Sequence, residues 1–233
     1  MATLAIMPAR GGSKRIKNKN IVDFCGRPLM AHALRAAKAS GLFDLIHVST
    51  DDPAIAAVAT AEGFAPDFPR EPRLADDMTP LFPVLRWVVE EYARRGRTFE
   101  TICLLMPTAP LIEASDLAGA MALYHRHGAA RPVIAVASFP CPVEWAMRLG
   151  HDGAITFVEP GKDQIRSQDL EPAYYDTGTF IIWPTAVLMA AGGAALDYIG
   201  YRLARWKAVD IDEHEDLQLA EMLFRGRDAS SRG

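Results

Sequence analysis

A doubly wound, mostly parallel α/β sheet in three layers is the fold this sequence predicts. Three observations predict it. Apolar runs alternate with amphipathic stretches of helical period along most of the 233 residues. The apolar runs are continuous, which marks strands buried on both faces beneath helices. Half of the residues are hydrophobic, enough for one sizeable core, so a single domain over 1–226 is expected, with 227–233 as a disordered tail.

The elements follow in order. LAIMP (4–8) reads as the first strand and PLMAHALRAAKA opens a helix over 28–40. LIHVST (45–50) is a strand, and PAIAAVATAEG (53–63) places Ala, Ile and Val at helical spacing. A proline-rich loop, APDFPREPRLADDMTP, leads to a helix near 80–95 and the apolar strand TICLLMPT (101–108). A helix at 114–127 and the strand PVIAVAS (132–138) repeat the pattern. Between 140 and 176 the alternation fails, and this stretch is expected to project from the sheet. TGTFIIWP (177–184) and KAVDID (207–212) then read as strands, and a helix begins near Glu213.

Composition excludes several classes. No apolar run reaches the ~18 residues that span a bilayer, and Pro8 and Arg10 interrupt the first one, so neither a membrane segment nor a signal peptide is expected and the protein is read as cytoplasmic. Cys25, Cys103 and Cys141 have no CxxC spacing and no paired histidine, so they are read as packed or incidental thiols. His32, His125 and His127 are read as surface or packing residues. A formal net charge of -4 argues against a nucleic-acid surface.

Against that acidity stands PARGGSKRIKNKN (8–20), with five basic side chains in thirteen positions. It follows the first strand, where open α/β sheets bind ligands and glycine-rich turns let backbone N–H groups approach phosphate. Gly11, Gly12 and Ser13 fit neither GxGxxG nor GxxxxGK[ST], so side-chain cations are expected to hold the anion. Cations so crowded repel one another, by about 1 kcal/mol per pair at ~4 Å even in water, unless a polyanion joins them. A triphosphate has the required charge.

A polyphosphate normally arrives with a divalent cation, which needs oxygen ligands. Asp210 and Asp212 supply them: in a strand, positions two apart share a face. The competing reading makes Asp212 a helix cap with Glu215 reaching back. Asp51 and Asp52 occupy an equivalent edge, as ligands or as an ordinary helix start.

PARGGSKRIKNKN, HVSTDD, LADD, PTAPL and VDIDEHEDLQLAE, in this order, resemble the acylneuraminate cytidylyltransferase family, the synthetases of CMP-activated nonulosonic acids, across essentially the whole chain. RSQDLEPAYYDTGTF leans towards the branch that acts on pseudaminic acid. The resemblance implies a Rossmann-like nucleotidyltransferase fold and transfer from CTP to a free nonulosonic acid, with Mg²⁺ as cofactor. It implies Arg10, Ser13 and Lys19 on the phosphates, with Gly11, Gly12, Asn20, Thr79 and one of Arg70 and Arg73 near the nucleotide. It implies Asp210 and Asp212 as the metal pair, and Arg166, Gln168 and Asp176 at the sugar site, in part across a homodimer. Lys19, Arg10 and Asp212 are the expected catalytic residues, with Asp212 as the base. Relatives that activate neuraminic acid usually carry Gln where this chain has Met106, and Leu81 stands where a small hydroxyl residue is expected. The alternatives are the same reaction on N-acetylneuraminic or legionaminic acid, another nucleotidyltransferase, and a catalytically silent nucleotide-binding subunit.

Overall fold

In the computed structural model of the chain, residues 2–76, 78–190 and 197–230 are described, the last three by their backbone. β1 (Thr3–Pro8) leads through the basic loop to a small hairpin, β2 (Asp23–Phe24) and β3 (Arg27–Pro28), and then to α1 (Leu29–Ser40). β4 (Leu45–Ser49), α2 (Pro53–Ala61), α3 (Leu81–Arg94), β5 (Thr101–Leu105), α4 (Ala114–Arg126) and β6 (Val133–Ser138) continue the alternation. A second hairpin, β7 (Met147–Leu149) and β8 (Ile155–Phe157), precedes β9 (Tyr174–Pro184), α5 (Thr185–Ala190), β10 (Ile199–Arg202) and α6 (His214–Ser230).

The central sheet runs β10-β6-β9-β5-β1-β4. β1 is parallel to both β4 and β5, and β10 is parallel to β6. β9 is the reversed strand, antiparallel to β5 and β6. The mostly parallel doubly wound sheet is therefore as the apolar runs predict.

Two cores flank the sheet because β1 sends alternate side chains to opposite faces. Ala5 and Met7 pack with Met30 and Leu34 of α1 and with Leu117 of α4; Leu4 and Ile6 pack with Val84, Leu85 and Val88 of α3 and Leu188 of α5. All of these β1 side chains are fully buried, at roughly 1.5–3 kcal/mol for each large aliphatic. α2 starts where the sequence places it: Asp52 caps it, its Oδ1 accepting from the N–H groups of Ala54 and Ile55, and Pro53 follows.

A third, smaller cluster joins Ile16, Phe24 and Leu29 to Leu111, Ile211, Leu217 and Ala220. It fastens the basic loop to the segment ahead of α6.

The structure corrects or adds to the sequence reading in four places. KAVDID forms no strand; a short 3₁₀ turn ends at Lys207 and the backbone from 208 to 212 belongs to no ladder. The strand position beside β6 is filled by β10, whose Ile199–Arg202 the sequence reading passed over, along with α5. The region from 140 to 176 contains the β7–β8 hairpin, every residue of which is exposed. α6 runs on through 227–230, and 231–233 lie outside the described residues.

Candidate active site

The C-terminal ends of β1 and β5 open into a cavity of about 410 Å³. In a parallel sheet those ends carry the loops that bind ligands. Arg10, Ser13, Lys19 and Asn20 of the basic loop line it, facing Asp210 and Asp212 across the space. The cationic turn and the twin acids thus meet in one cavity although nearly the whole chain separates them.

Local structure sets the loop. Gly11 is required by close approach: a Cβ there would stand 2.7 Å from Asp52 Oδ2. Its N–H donates to Asp51 Oδ1 at 3.3 Å. Asp51 and Asp52 therefore serve the loop and the α2 cap. Gly11 and Gly12 do not line the cavity. Asn20 is buried, and its Nδ2 donates to the Arg10 carbonyl at 2.9 Å, so the amide shapes the loop.

Lys19 Nζ donates to Asp212 Oδ1 at 2.9 Å and to the Ile211 carbonyl at 2.8 Å. Arg15 Nη2 lies 3.1 Å from the other oxygen of Asp212. Lys19 first, and then Arg15, hold the Asp212 carboxyl below its ordinary range. Asp210 behaves oppositely. It keeps an exposed edge towards the cavity, yet desolvation first, and then the charge of Asp212, push its carboxyl up, with Thr108 Oγ1 donating weakly at 3.4 Å. One carboxylate is compensated and the other is not, which is the environment that a divalent cation relieves. Two neighbouring carboxylates offer oxygen ligands of the kind a hard cation takes together with oxygens from phosphate and water; among the described residues no cluster of three or more His, Cys, Asp or Glu forms a metal site.

The two acids share the cavity without a strand to align them, because Ile211 between them is fully buried in the third cluster. The cap of α6 falls to Asp216, whose Oδ2 accepts from the N–H groups of Asp212 and Glu213. Neither Asp212 nor Glu215 has that role.

Arg70, Leu74, Thr79 and Leu81 line the same cavity. Arg70 is buried and donates through Nε to Ser49 Oγ at 3.1 Å and through Nη2 to the Ser49 carbonyl at 2.6 Å. Burial pulls its pKa down to about 10, with Asp51 opposing. Arg73 is paired with Glu71 on the surface and does not line the cavity, so of the two arginines Arg70 is the one at the site. Thr79 Oγ1 donates to Asp76 Oδ1 at 2.8 Å.

Arg166, Gln168 and Asp176 do not reach this cavity. Arg166 pairs with Asp169 at 2.9 Å, Gln168 is exposed, and Asp176 Oδ1 accepts from the Gly178 N–H. Arg15, Thr108 and Met106 do line it. Sequence reasoning gave Arg15 and Thr108 no role, although both stand inside motifs it quoted.

A family of the description Cytidylyltransferase matches residues 4–138. The pseudaminic acid cytidylyltransferase of Campylobacter jejuni is 32% identical over 226 residues, covering 97% of each chain. The N-acylneuraminate cytidylyltransferase of Escherichia coli is 26% identical over 93% of this chain and 51% of its own length. A solved CMP:2-keto-3-deoxy-manno-octonic acid synthetase, complexed with CTP, superposes with a TM-score of 0.71 at 14% identity, covering 97% of this chain and all of that one. That likeness concerns the fold alone. With the match to 4–138 spanning more than half of its residues and a 32% identical relative aligned almost end to end, the chain belongs to the cytidylyltransferase family.

Proposed function

We propose that the chain activates a nonulosonic acid, pseudaminic acid in the first instance, by transferring CMP from CTP to its anomeric hydroxyl with release of pyrophosphate. The observation that carries this reading is the Lys19–Asp212 contact at 2.9 Å, spanning 193 residues of sequence, beside Asp210 in a cavity that also takes Arg10 and Ser13. The relative from Campylobacter jejuni bears the name of this reaction, and RSQDL points to the same sugar.

The C2 hydroxyl oxygen forms the new bond to the α-phosphorus as the bond to the β-phosphate oxygen breaks. Lys19 serves the α-phosphate and Arg10 the β- and γ-phosphates, so fixed positive charge meets the charge that grows on the departing oxygens. Ser13 borders the phosphates, and Gly11 and Gly12 shape the turn that carries it. Arg70 and Thr79 stand at the nucleoside end, with Asn20 holding the loop between. Asp210 and Asp212 would hold Mg²⁺, which supplies neutralisation of phosphate charge when bound. Asp212 takes the hydroxyl proton. Lys19 holds the Asp212 carboxyl below its ordinary range and so keeps it ionised, the form that can accept a proton.

Arg166, Gln168 and Asp176 form the sugar subsite when the 140–176 segment meets a second copy in a homodimer, Arg166 taking the sugar carboxylate in a bidentate pair. The enzyme is read as cytoplasmic; no helix among the described residues is long and apolar enough to cross a membrane.

The test is pyrophosphate release from CTP and Mg²⁺ with a panel of free nonulosonic acids. Pseudaminic acid should be turned over fastest, and Lys19→Ala should lower kcat by ~10²–10³. Release without any sugar dependence, or none with any sugar, overturns the reading; an unchanged sugar KM in Arg166→Ala overturns the carboxylate contact.

A further inference from the structure

A second cleft, of about 660 Å³, opens between the β2–β3 hairpin, α1, the loop into α4 and the last turns of α6. It shares no lining residue with the nucleotide cavity. Arg27, Arg35, Arg227 and His32 stand in its wall against one lining carboxylate, Glu113. That carboxylate is already shared: Lys207 reaches one oxygen at 2.6 Å and Arg227 the other at 3.5 Å. Arg35 also pairs with Glu62 outside the cleft at 2.8 Å. Ala36, Ile112 and Phe224 supply an apolar floor.

His32 is held in place. Its Nε2 lies 2.9 Å from the Phe24 carbonyl; because a carbonyl only accepts, this nitrogen carries the hydrogen. The ring stands edge-to-face with Phe24 and Phe224, each 5.0 Å away, and the Arg227 guanidinium covers Phe224 at 4.4 Å. A solvated surface histidine needs none of this framing. We propose that this cleft binds a small organic anion, a phosphate or carboxylate head carried on a body with apolar surface. The head sits among Arg27, Arg35 and Arg227, where bidentate guanidinium contacts suit either anion, and the body lies along Phe224, Ala36 and Ile112.

The charges explain why the cleft favours an anion over water. Desolvation first, and then Arg27, Arg227 and Arg35, lower the proton affinity of His32. The charged groups facing it are Arg27 on β3, Arg35 on α1, Arg227 on α6 and Glu113 at the start of α4, with Lys207 acting through Glu113 and Arg225 beside Cys25. An anion among the guanidiniums reverses their effect on the ring, so Nδ1 gains a proton and donates it to the head group. Binding therefore takes up a proton and weakens as pH rises.

The experiment titrates phenyl phosphate into the protein with CTP present and no sugar, so that the nucleotide cavity is filled. The readout is the ring carbon resonance of His32, assigned by its loss in His32→Gln. The expected result is a saturable shift towards imidazolium, with at least fivefold weaker binding at pH 8 than at pH 6.5. The shift should persist in Lys19→Ala and be lost in Arg27→Gln, a change on an exposed side chain that leaves the fold intact. A shift that never saturates, that survives Arg27→Gln unchanged, or that appears only when CTP is omitted overturns the proposal.

Discussion

A proton on His47 would have no partner. The ring is 2% exposed and lies 4.5 Å from Phe68. Tyr92 Oη donates to Asp67 Oδ2 at 2.7 Å, so the 2.9 Å contact with His47 has Nδ1 as its donor. Nε2 is buried without any hydrogen bond. Protonation would create an unsatisfied buried N–H, and burial first of all lowers the pKa to about 4 from 6.5. The sign follows: the neutral form belongs to the folded state, so this stability is complete above pH ~6.5 and is lost as pH falls towards ~4, about 3 kcal/mol in all. Urea unfolding at pH 7 and pH 4.5 should find His47→Gln losing clearly less stability over that interval than the parent; equal losses reject the assignment. Arg70 is a buried cation with a fixed task. Its fork to Ser49 cannot be copied by an ammonium. Arg70→Lys should raise the CTP KM severalfold and cost ~1–3 kcal/mol of stability, measured by calorimetry alongside initial rates.

Among the elements, β9 does more than complete the sheet. Its register against β6 shifts between Ile134 and Val136, and near that irregularity Gly178 adopts a φ of +61°. A Cβ on Gly178 would stand 3.3 Å from Asp210 Oδ2. Gly178→Ala should therefore combine roughly 1–2 kcal/mol of backbone strain with a displaced Asp210 and at least a tenfold fall in kcat. Gly41→Ala is the control, since its φ of +65° has open space around it: it should lose similar stability and keep its kcat. If both variants keep full activity, the strand does not position Asp210. The strand pattern was the most legible feature of the sequence, because short continuous apolar runs such as TICLL, alternating with amphipathic stretches, suit strands covered on both faces. IGYR escaped notice since four residues with a glycine give little period to read. KAVDID was misread because its alternation is real but serves two unrelated partners: Lys207 reaches Glu113 and Asp116, and Ile211 enters the third cluster. The basic loop could be picked out by its charge and Asp210 and Asp212 by their spacing, while Arg10 and Lys19 were singled out within the loop by the family resemblance; Thr108 could not be found, because a hydroxyl acquires its meaning only from Asp210 lying against it.

At the scale of the molecule, one joint and one surface decide what the chain can do. The joint is the third cluster, where Ile16 from the loop and Ile211 from between the acids share one apolar pocket with α6. The surface is the β7–β8 hairpin. Met147 is 54% exposed, Leu149 74% and Ile155 53%, with Phe157 and Val158 beside them. An isolated two-stranded hairpin is marginal in water, and an apolar patch of this kind marks an interface. The homodimer proposed above would seat a second copy on this patch and bring Arg166, Gln168 and Asp176, which stand away from their own cavity, to the partner's. Leu149→Glu with Ile155→Glu should convert a dimer to a monomer in sedimentation equilibrium, raise the sugar KM at least tenfold and leave the CTP KM within twofold. A charged hairpin that still sediments as a dimer, or a monomer with an unchanged sugar KM, separates the surface from the sugar site and returns the three residues to the solvent.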